Sequence, residues 1–210
     1  MLKNYEMVRP GHWHQVIKIG AGPKYSTDYM KYYDTIPSQE MSRIRYNVIK
    51  QHIGDIETLC DFGYGNGSFL DYCNSQGIKT YGYDISDCPV PVGSMRINDI
   101  GEADVDVITF FDSLEHKEEQ NLEPFLRSLK TKHIIISVPW LHERRGEAWF
   151  AGWKHRKPDE HFHHFDLPGL VGLLADSGFK LVHVGNEEDV IRKSVDNYPN
   201  ILTVVASRIV

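Results

Sequence analysis

The run Asp61-Phe62-Gly63-Tyr64-Gly65-Asn66-Gly67 sets a carboxylate two residues ahead of three alternate glycines. Glycines admit positive φ and let a ligand approach the backbone closely. A helix opening after them would turn free N–H groups toward a carboxylate or phosphate. A dinucleotide loop, G-x-G-x-x-G, needs a third glycine or alanine where this chain has Ser68. Asp61 suits the amino group of a bound amino acid and would repel a pyrophosphate. Asp84 follows 23 residues later, in Tyr81-Gly82-Tyr83-Asp84-Ile85. A carboxylate there can accept two hydrogen bonds from ribose hydroxyls. Asn98-Asp99-Ile100 could set Asp99 near an adenine amino group, or Asp99 could be a turn residue. Asp112-Ser113-Leu114-Glu115-His116 adds two further carboxylates and a histidine.

These residues need elements to hold them. Thr58–Phe62 reads as a strand feeding the glycine loop, 68–76 as a helix stopped by Gly77, and Thr80–Tyr83 as the strand that delivers Asp84. Residues 94–97 form a weaker strand. Residues 105–111 form a fully apolar one, 120–129 an amphipathic helix, and 133–138 a buried strand. A helix over 167–177 closed by Gly178 and strands over 180–184 and 201–206 complete the series. Ahead of it, Pro37-Ser38-Gln39-Glu40 reads as a helix start with Ser38 able to cap. That helix runs to about Ile53, with Met41, Ile44, Val48 and Ile49 on one face. Such alternation predicts an α/β fold, a parallel sheet with helices on both faces.

Two stretches stand outside this rhythm. Residues 1–37 lack clear periodicity but hold five of the eleven tyrosines, including Tyr25, Tyr29, Tyr32 and Tyr33, and read as a cap or lid on a domain over 38–210. Residues 140–166 are too long for an ordinary connection. They carry three of the four tryptophans and five of the eleven histidines, and read as a substrate-recognition insertion or as a solvated loop whose tryptophans pack on the sheet edge.

Composition sets the class. With 210 residues, 41% hydrophobic and 25% charged, the chain can bury a full core. A net charge of −6 argues against a protein that coats nucleic acid. Three cysteines without C-x-x-C spacing, no basic-then-apolar leader and no long apolar run predict a cytoplasmic protein without a membrane span.

Together, Asp61-x-Gly63-x-Gly65-x-Gly67, Asp84, Asn98-Asp99-Ile100 and Asp112-Ser113-Leu114-Glu115-His116 resemble the motifs of class I S-adenosylmethionine-dependent methyltransferases. Ile136-Ser137-Val138-Pro139, His164-Phe165-Asp166-Leu167 and Ser177-Gly178-Phe179 resemble the short ubiquinone-biosynthesis O-methyltransferases. The Trp153-Lys154-His155-Arg156 and Asp159-Glu160-His161 region is similar to phage-encoded methyltransferases. The resemblance covers roughly residues 55–206. It implies a Rossmann-like seven-stranded sheet whose last strand, 201–206, is antiparallel. It also implies that S-adenosyl-L-methionine is held by Gly63, Gly65 and Gly67 at its methionine portion, by Asp84 at the ribose, and by Asp99 with Ile100 at the adenine. Asp61, Tyr64, Ile85 and Asp112 complete the expected cofactor wall. Tyr64 departs from the small residue or cysteine common there.

Methyl transfer to a hydroxyl is helped by a base, and His116, His161 and His142 are the candidates. Two related groups, certain ubiquinone O-methyltransferases and small-RNA 3′-terminal 2′-O-methyltransferases, imply another use for this region. In them an acid-x-x-Glu-His arrangement with a later histidine holds a metal, which would fall here on Asp112, Glu115, His116 and His161 or His164. No Asp-Pro-Pro-Tyr-like motif or Pro-Cys nucleophile is present. The expected acceptor is therefore a small molecule, a sugar or a nucleotide-like compound, methylated on oxygen or nitrogen. Duplex DNA is disfavoured and RNA stays open. Three other readings remain: a metal-dependent RNA 2′-O-methyltransferase, an NAD(P)-dependent oxidoreductase, and a non-catalytic cofactor-binding partner protein.

Overall fold

The computed structural model describes residues 3–23, 38–193 and 197–209. Tyr25, Tyr29, Tyr32 and Tyr33 lie outside them, and Ser38, expected as the cap of the first helix, is instead its first helical residue. Strands β1 (Tyr5–Arg9) and β2 (His12–Gln15) come first, then helix α1 (Ser38–His52). Next are β3 (Thr58–Phe62), α2 (Ser68–Ser75), β4 (Lys79–Tyr83), β5 (Met95–Arg96) and β6 (Asp104–Phe111). Then follow α3 (Glu123–Ser128), β7 (Lys130–Pro139), α4 (Gly146–Gly152), β8 (His163–Phe165), α5 (Leu167–Asp176), β9 (Phe179–Gly185) and β10 (Ile201–Arg208).

Seven strands form one sheet in the order β5-β4-β3-β6-β7-β10-β9. β3, β4, β5, β6 and β7 are parallel, and β10 runs antiparallel to both β7 and β9. The predicted Rossmann-like sheet with an antiparallel last strand is thus what the chain forms. Its central strands β6 and β7 are rich in apolar residues at both odd and even positions because both faces are covered. Ile134, Ile136 and Val138 of β7 join one core with Ile108 and Phe110 of β6, beneath Leu126 of α3 and Leu170 and Leu173 of α5. Ile135 and Val107 point the other way, into a core with Ile49 of α1 and Leu70 of α2. Helix α3 is shorter than the predicted 120–129. Leu122, Leu126 and Leu129 are all buried at helical spacing, but only residues 123–128 are helical.

The N-terminal stretch holds a hairpin that its sequence did not reveal. β1 and β2 pair antiparallel, and β2 pairs with β8, setting His12 opposite Phe165 and His14 opposite His163. The hairpin turn rests on α5. A Cβ at Gly169 would lie 2.1 Å from the Gly11 carbonyl oxygen, so this approach requires glycine. Tyr5, Leu141 and Phe150 form a small third core with Trp13, Trp149 and Trp153 against it. Residues 140–166 are therefore an ordered layer over the carboxyl end of β7. No helix among the described residues is long and apolar enough to cross a membrane.

Candidate active site

Strand β3 ends at Asp61 and Phe62, and the chain turns through Gly63, Gly65 and Gly67 with φ of 80°, 56° and 77°. A Cβ at Gly63 would stand 2.7 Å from Cβ of Ser113, so the loop can lie against the end of β6 only because the residue is glycine. Gly67 then caps α2, directing its first amides into the loop. Asp61 is buried, and Thr109 Oγ1 donates to its Oδ1 at 2.7 Å. Burial pushes its carboxyl up to about 6, against the opposing effects of the Thr109 hydrogen bond and of the Arg45 charge. A buried carboxylate held this way is suited to a cation brought by a ligand.

Asp84 stands at the end of β4. Its Oδ2 accepts from the Gly65 amide at 2.9 Å and its Oδ1 from the Ser86 amide at 2.7 Å. A carboxylate has about four acceptor positions, so roughly two remain for ribose hydroxyls. Ile85 beside it is 72% exposed, an apolar side chain open for a flat ring to cover. Asp99 accepts from the Gly101 amide at 2.9 Å and caps the short helix 100–102, while Ile100 is buried. Its carboxylate is thus engaged as a turn residue's would be. Tyr64 is buried and donates to the Cys88 carbonyl, so it lines the loop from beneath. Three alternate glycines, a buried acid, a half-used carboxylate and an open isoleucine fit a nucleoside that carries an amino-acid tail.

Sequence reasoning missed the residue that braces this turn. Arg96 of β5 donates from Nη1 to Cys88 O at 2.9 Å and Tyr64 Oη at 3.0 Å, and from Nη2 to Asp84 O at 2.9 Å and Ser86 O at 2.5 Å. Nothing in its spacing marked it.

Asp112 has φ of +52°, the left-handed region, and its amide donates to Ser137 O at 2.9 Å. Its carboxylate faces cations. Arg192 Nη1 donates to Oδ2 at 2.6 Å, and Arg45 lies 3.6 Å away. Burial alone would raise Asp112, but Arg192 and Arg45 outweigh it and hold its carboxyl below the usual range. Glu188 closes the quartet, accepting from Arg45 Nε at 2.8 Å and Arg192 Nη1 at 3.1 Å. Arg45, Glu188 and Arg192 were also missed. Arg45 and Glu188 are 143 residues apart, a separation that no local pattern links.

Of the expected histidines, the structure brings two together. The His116 and His161 rings lie 4.7 Å apart, and with Glu115 they place three donor atoms within 4.8 Å of one another. Glu115 is 1% exposed, and neither carboxylate oxygen has a hydrogen-bond partner among the described residues. Burial, then the Asp112 charge, pushes its carboxyl well above the ordinary range. Burial lowers His116 and lowers His161 strongly, so both rings are neutral at neutral pH. Asp112, committed to arginines, and His164, 6.5 Å from the His161 ring, fall outside this trio.

His142 sits elsewhere, among Trp140, Trp149 and Tyr198 with ring separations of 5.4, 6.0 and 5.1 Å. Its Nε2 donates to Pro199 O at 2.7 Å, so Nδ1 is the ring nitrogen left to meet an acceptor. It lines a concave, largely apolar pocket with Trp13, Leu141, Trp149 and Phe150. Arg145 lies over Trp149 at 4.8 Å and over Tyr198 at 4.5 Å.

A family model described as a methyltransferase domain matches residues 33–184. Solved structures share the fold at low identity. One is 1,6-didemethyltoxoflavin-N1-methyltransferase of Burkholderia thailandensis, with bound 1,6-didemethyltoxoflavin and S-adenosylhomocysteine. It is 13% identical with a TM-score of 0.60, over 98% of this chain and 99% of that one. Magnesium protoporphyrin IX methyltransferase of Synechocystis PCC 6803, with bound S-adenosylhomocysteine, is 16% identical with a TM-score of 0.56, over 82% and 83%. A SAM-dependent methyltransferase of Archaeoglobus fulgidus is 18% identical with a TM-score of 0.62, over 86% and 99%. No curated protein matches the chain in sequence.

Proposed function

The chain belongs to the methyltransferase-domain family and is an S-adenosylmethionine-dependent enzyme, and we propose that it methylates an oxygen or nitrogen of a small, flat aromatic acceptor. The observation that carries this is the pocket of Trp13, His142, Trp149 and Phe150, built from the 140–166 layer that follows the carboxyl end of β7. In open α/β sheets ligands lie beyond the carboxyl ends of the strands, where this pocket stands. Aromatic walls favour an aromatic ligand through offset and edge contacts. Two of the fold's neighbours act on small molecules, 1,6-didemethyltoxoflavin and magnesium protoporphyrin IX.

The cofactor supplies an electrophilic methyl group on a sulfonium. Asp61 holds its amino group, the glycine loop lies against its methionine portion, Asp84 takes the ribose hydroxyls and Ile85 covers the adenine. The chain's own contribution to the transfer is orientation and exclusion of water. Nδ1 of His142 accepts the acceptor's proton as the new bond forms. Residues 3–23 and 140–166 act together as the acceptor-recognition layer. Three buried free thiols, Cys60, Cys73 and Cys88, fit a reducing, cytoplasmic setting.

One observation favours a metal-assisted variant. Glu115 is a buried acid with two unpartnered oxygens, beside neutral His116 and His161. A divalent cation held by these three would supply the missing counter-charge and activate an acceptor hydroxyl.

The test is methyl transfer to a panel of phenols and N–H heteroaromatics, with nucleosides, sugar nucleotides and RNA as controls, before and after chelation. Supporting results are transfer to a flat aromatic member and a KM at least tenfold higher in Trp149→Ala, with S-adenosylhomocysteine affinity unchanged. Transfer only to the controls, or an unaltered Trp149→Ala, refutes the acceptor assignment. Activity that survives chelation refutes the metal-assisted variant.

A further inference from the structure

A second set of ligating side chains lies outside the site above. His52 ends α1, His183 stands on β9, and Glu187 opens the short helix 187–190. The two imidazole rings stack face to face, with centroids 3.6 Å apart and planes 11° apart. Nε2 of His183 meets Oε1 of Glu187 at 2.5 Å, and one donor atom from each of the three lies within 4.8 Å of the others. The other carboxylate oxygen of Glu187 is buried without a hydrogen-bond partner among the described residues. Gly185 makes room for the carboxylate, because a Cβ there would stand 2.1 Å from Oε1 and 2.6 Å from Oε2 of Glu187.

Packing alone explains this arrangement poorly. Two imidazoles stacked so closely cannot both carry a proton without repulsion. A buried, unpartnered carboxylate oxygen costs free energy unless a cation or donor reaches it. One ion satisfies all three groups together. Two imidazole nitrogens and one carboxylate oxygen form a borderline donor set, suited to Zn²⁺, Co²⁺ or Ni²⁺ rather than Mg²⁺.

We propose that His52, His183 and Glu187 form a divalent transition-metal site that clamps the carboxyl end of α1 to β9. All three side chains are partly exposed, so solvent can fill the remaining coordination positions. Donors bound at about 2.0–2.2 Å to one tetrahedral ion stand roughly 3.3 Å apart; an imidazole lone pair lies in its ring plane and these rings are stacked 3.6 Å apart, so one ring turns out of the stack on loading. The clamp has a mechanical neighbour. Arg45 lies two turns before His52 on α1 and binds Glu188, the residue next to Glu187; Arg192 then ties Glu188 to Asp112. An ion here pins the outer end of the contact that holds Asp112 beside the cofactor loop.

The experiment titrates Zn²⁺ and Co²⁺ alone into the intact protein, His52→Asn, His183→Asn and Glu187→Gln, each stripped of metal. Readouts are calorimetric stoichiometry, the visible d–d bands of Co²⁺ and the Zn²⁺-dependent melting temperature. Binding elsewhere in the chain is common to all four proteins and cancels in the difference. The expected result is one equivalent more in the intact protein than in each variant, with Co²⁺ bands and a melting shift of several degrees that the variants lose. S-adenosylhomocysteine affinity in metal-free buffer identifies folded variants. If one of the three variants fails to fold, the comparison rests on the other two. Equal stoichiometry and equal melting response in the intact protein and the folded variants overturn the proposal.

Discussion

Replacing Asp61 by asparagine should make the cofactor-free protein more stable and its cofactor binding weaker. Burial lifts the Asp61 carboxyl from 3.8 to about 6. Between those pH values the folded protein keeps a proton that the unfolded chain has lost, so stability falls as pH rises through the window. The full cost is present above pH 6. At 1.36 kcal/mol per pH unit it is roughly 3 kcal/mol. The asparagine would carry no charge, and its Oδ1 can still accept from Thr109 Oγ1. At pH 7.5 Asp61→Asn should therefore gain up to about 3 kcal/mol, a melting rise of about 6–12 °C at most for a chain of this size. At pH 4 the two proteins should melt together. The same carboxylate should tune binding. A group titrating near 6 is about one-tenth ionised at pH 5 and nine-tenths at pH 7, so S-adenosylhomocysteine affinity should fall roughly tenfold from pH 7 to pH 5. In Asp61→Asn it should be weak and flat. Melting and calorimetry across pH 4–8 read both effects. An asparagine variant that melts no higher at pH 7.5, or that keeps the wild-type pH slope of binding, would falsify this reasoning.

Three further outcomes follow from named contacts. Arg96→Met should leave the 84–88 turn unbraced and weaken S-adenosylhomocysteine at least tenfold in calorimetry, with little change in melting, since the guanidinium holds mainly that turn. Arg192→Ala should lower stability by about 3 kcal/mol in urea titration, because Asp112 and the buried Glu188 would share only Arg45. Gly63→Ala puts a Cβ 2.7 Å from Ser113 at φ of +80°; it should cost about 1–3 kcal/mol and abolish cofactor binding while circular dichroism stays native-like.

The sheet was legible because its strands are written locally. Residues 105–111 and 133–138 are apolar on both faces, and the glycine loop with Asp61 and Asp84 falls at strand ends the pattern already marks. The family match decides against the dinucleotide oxidoreductase that Ser68 and Asp61 had argued against. The hairpin was not legible, because Tyr5–Arg9 and His12–Gln15 are short, mixed in polarity and covered by partners some 130–160 residues onward, β8 and Phe150 among them. Arg45, Glu188 and Arg192 were hidden for the same reason, since each ion pair is a product of the folded topology. Local motif reading grouped Asp112 with Glu115 and His116, yet the fold gives Asp112 to arginines and Glu115 to histidines. Sequence spacing alone cannot show that division, because it depends on where α1 and the 187–192 segment land.

The most direct measurement is calorimetric titration of S-adenosylhomocysteine into the intact protein at pH 7.5, beside Asp84→Ala. The account predicts one site of micromolar affinity, lost in a folded Asp84→Ala, since that carboxylate both holds the glycine loop and offers its free lone pairs to the ribose. No binding to the intact protein, with or without Zn²⁺, would contradict the assignment of the Gly63–Gly67 loop and Asp84 as the cofactor site.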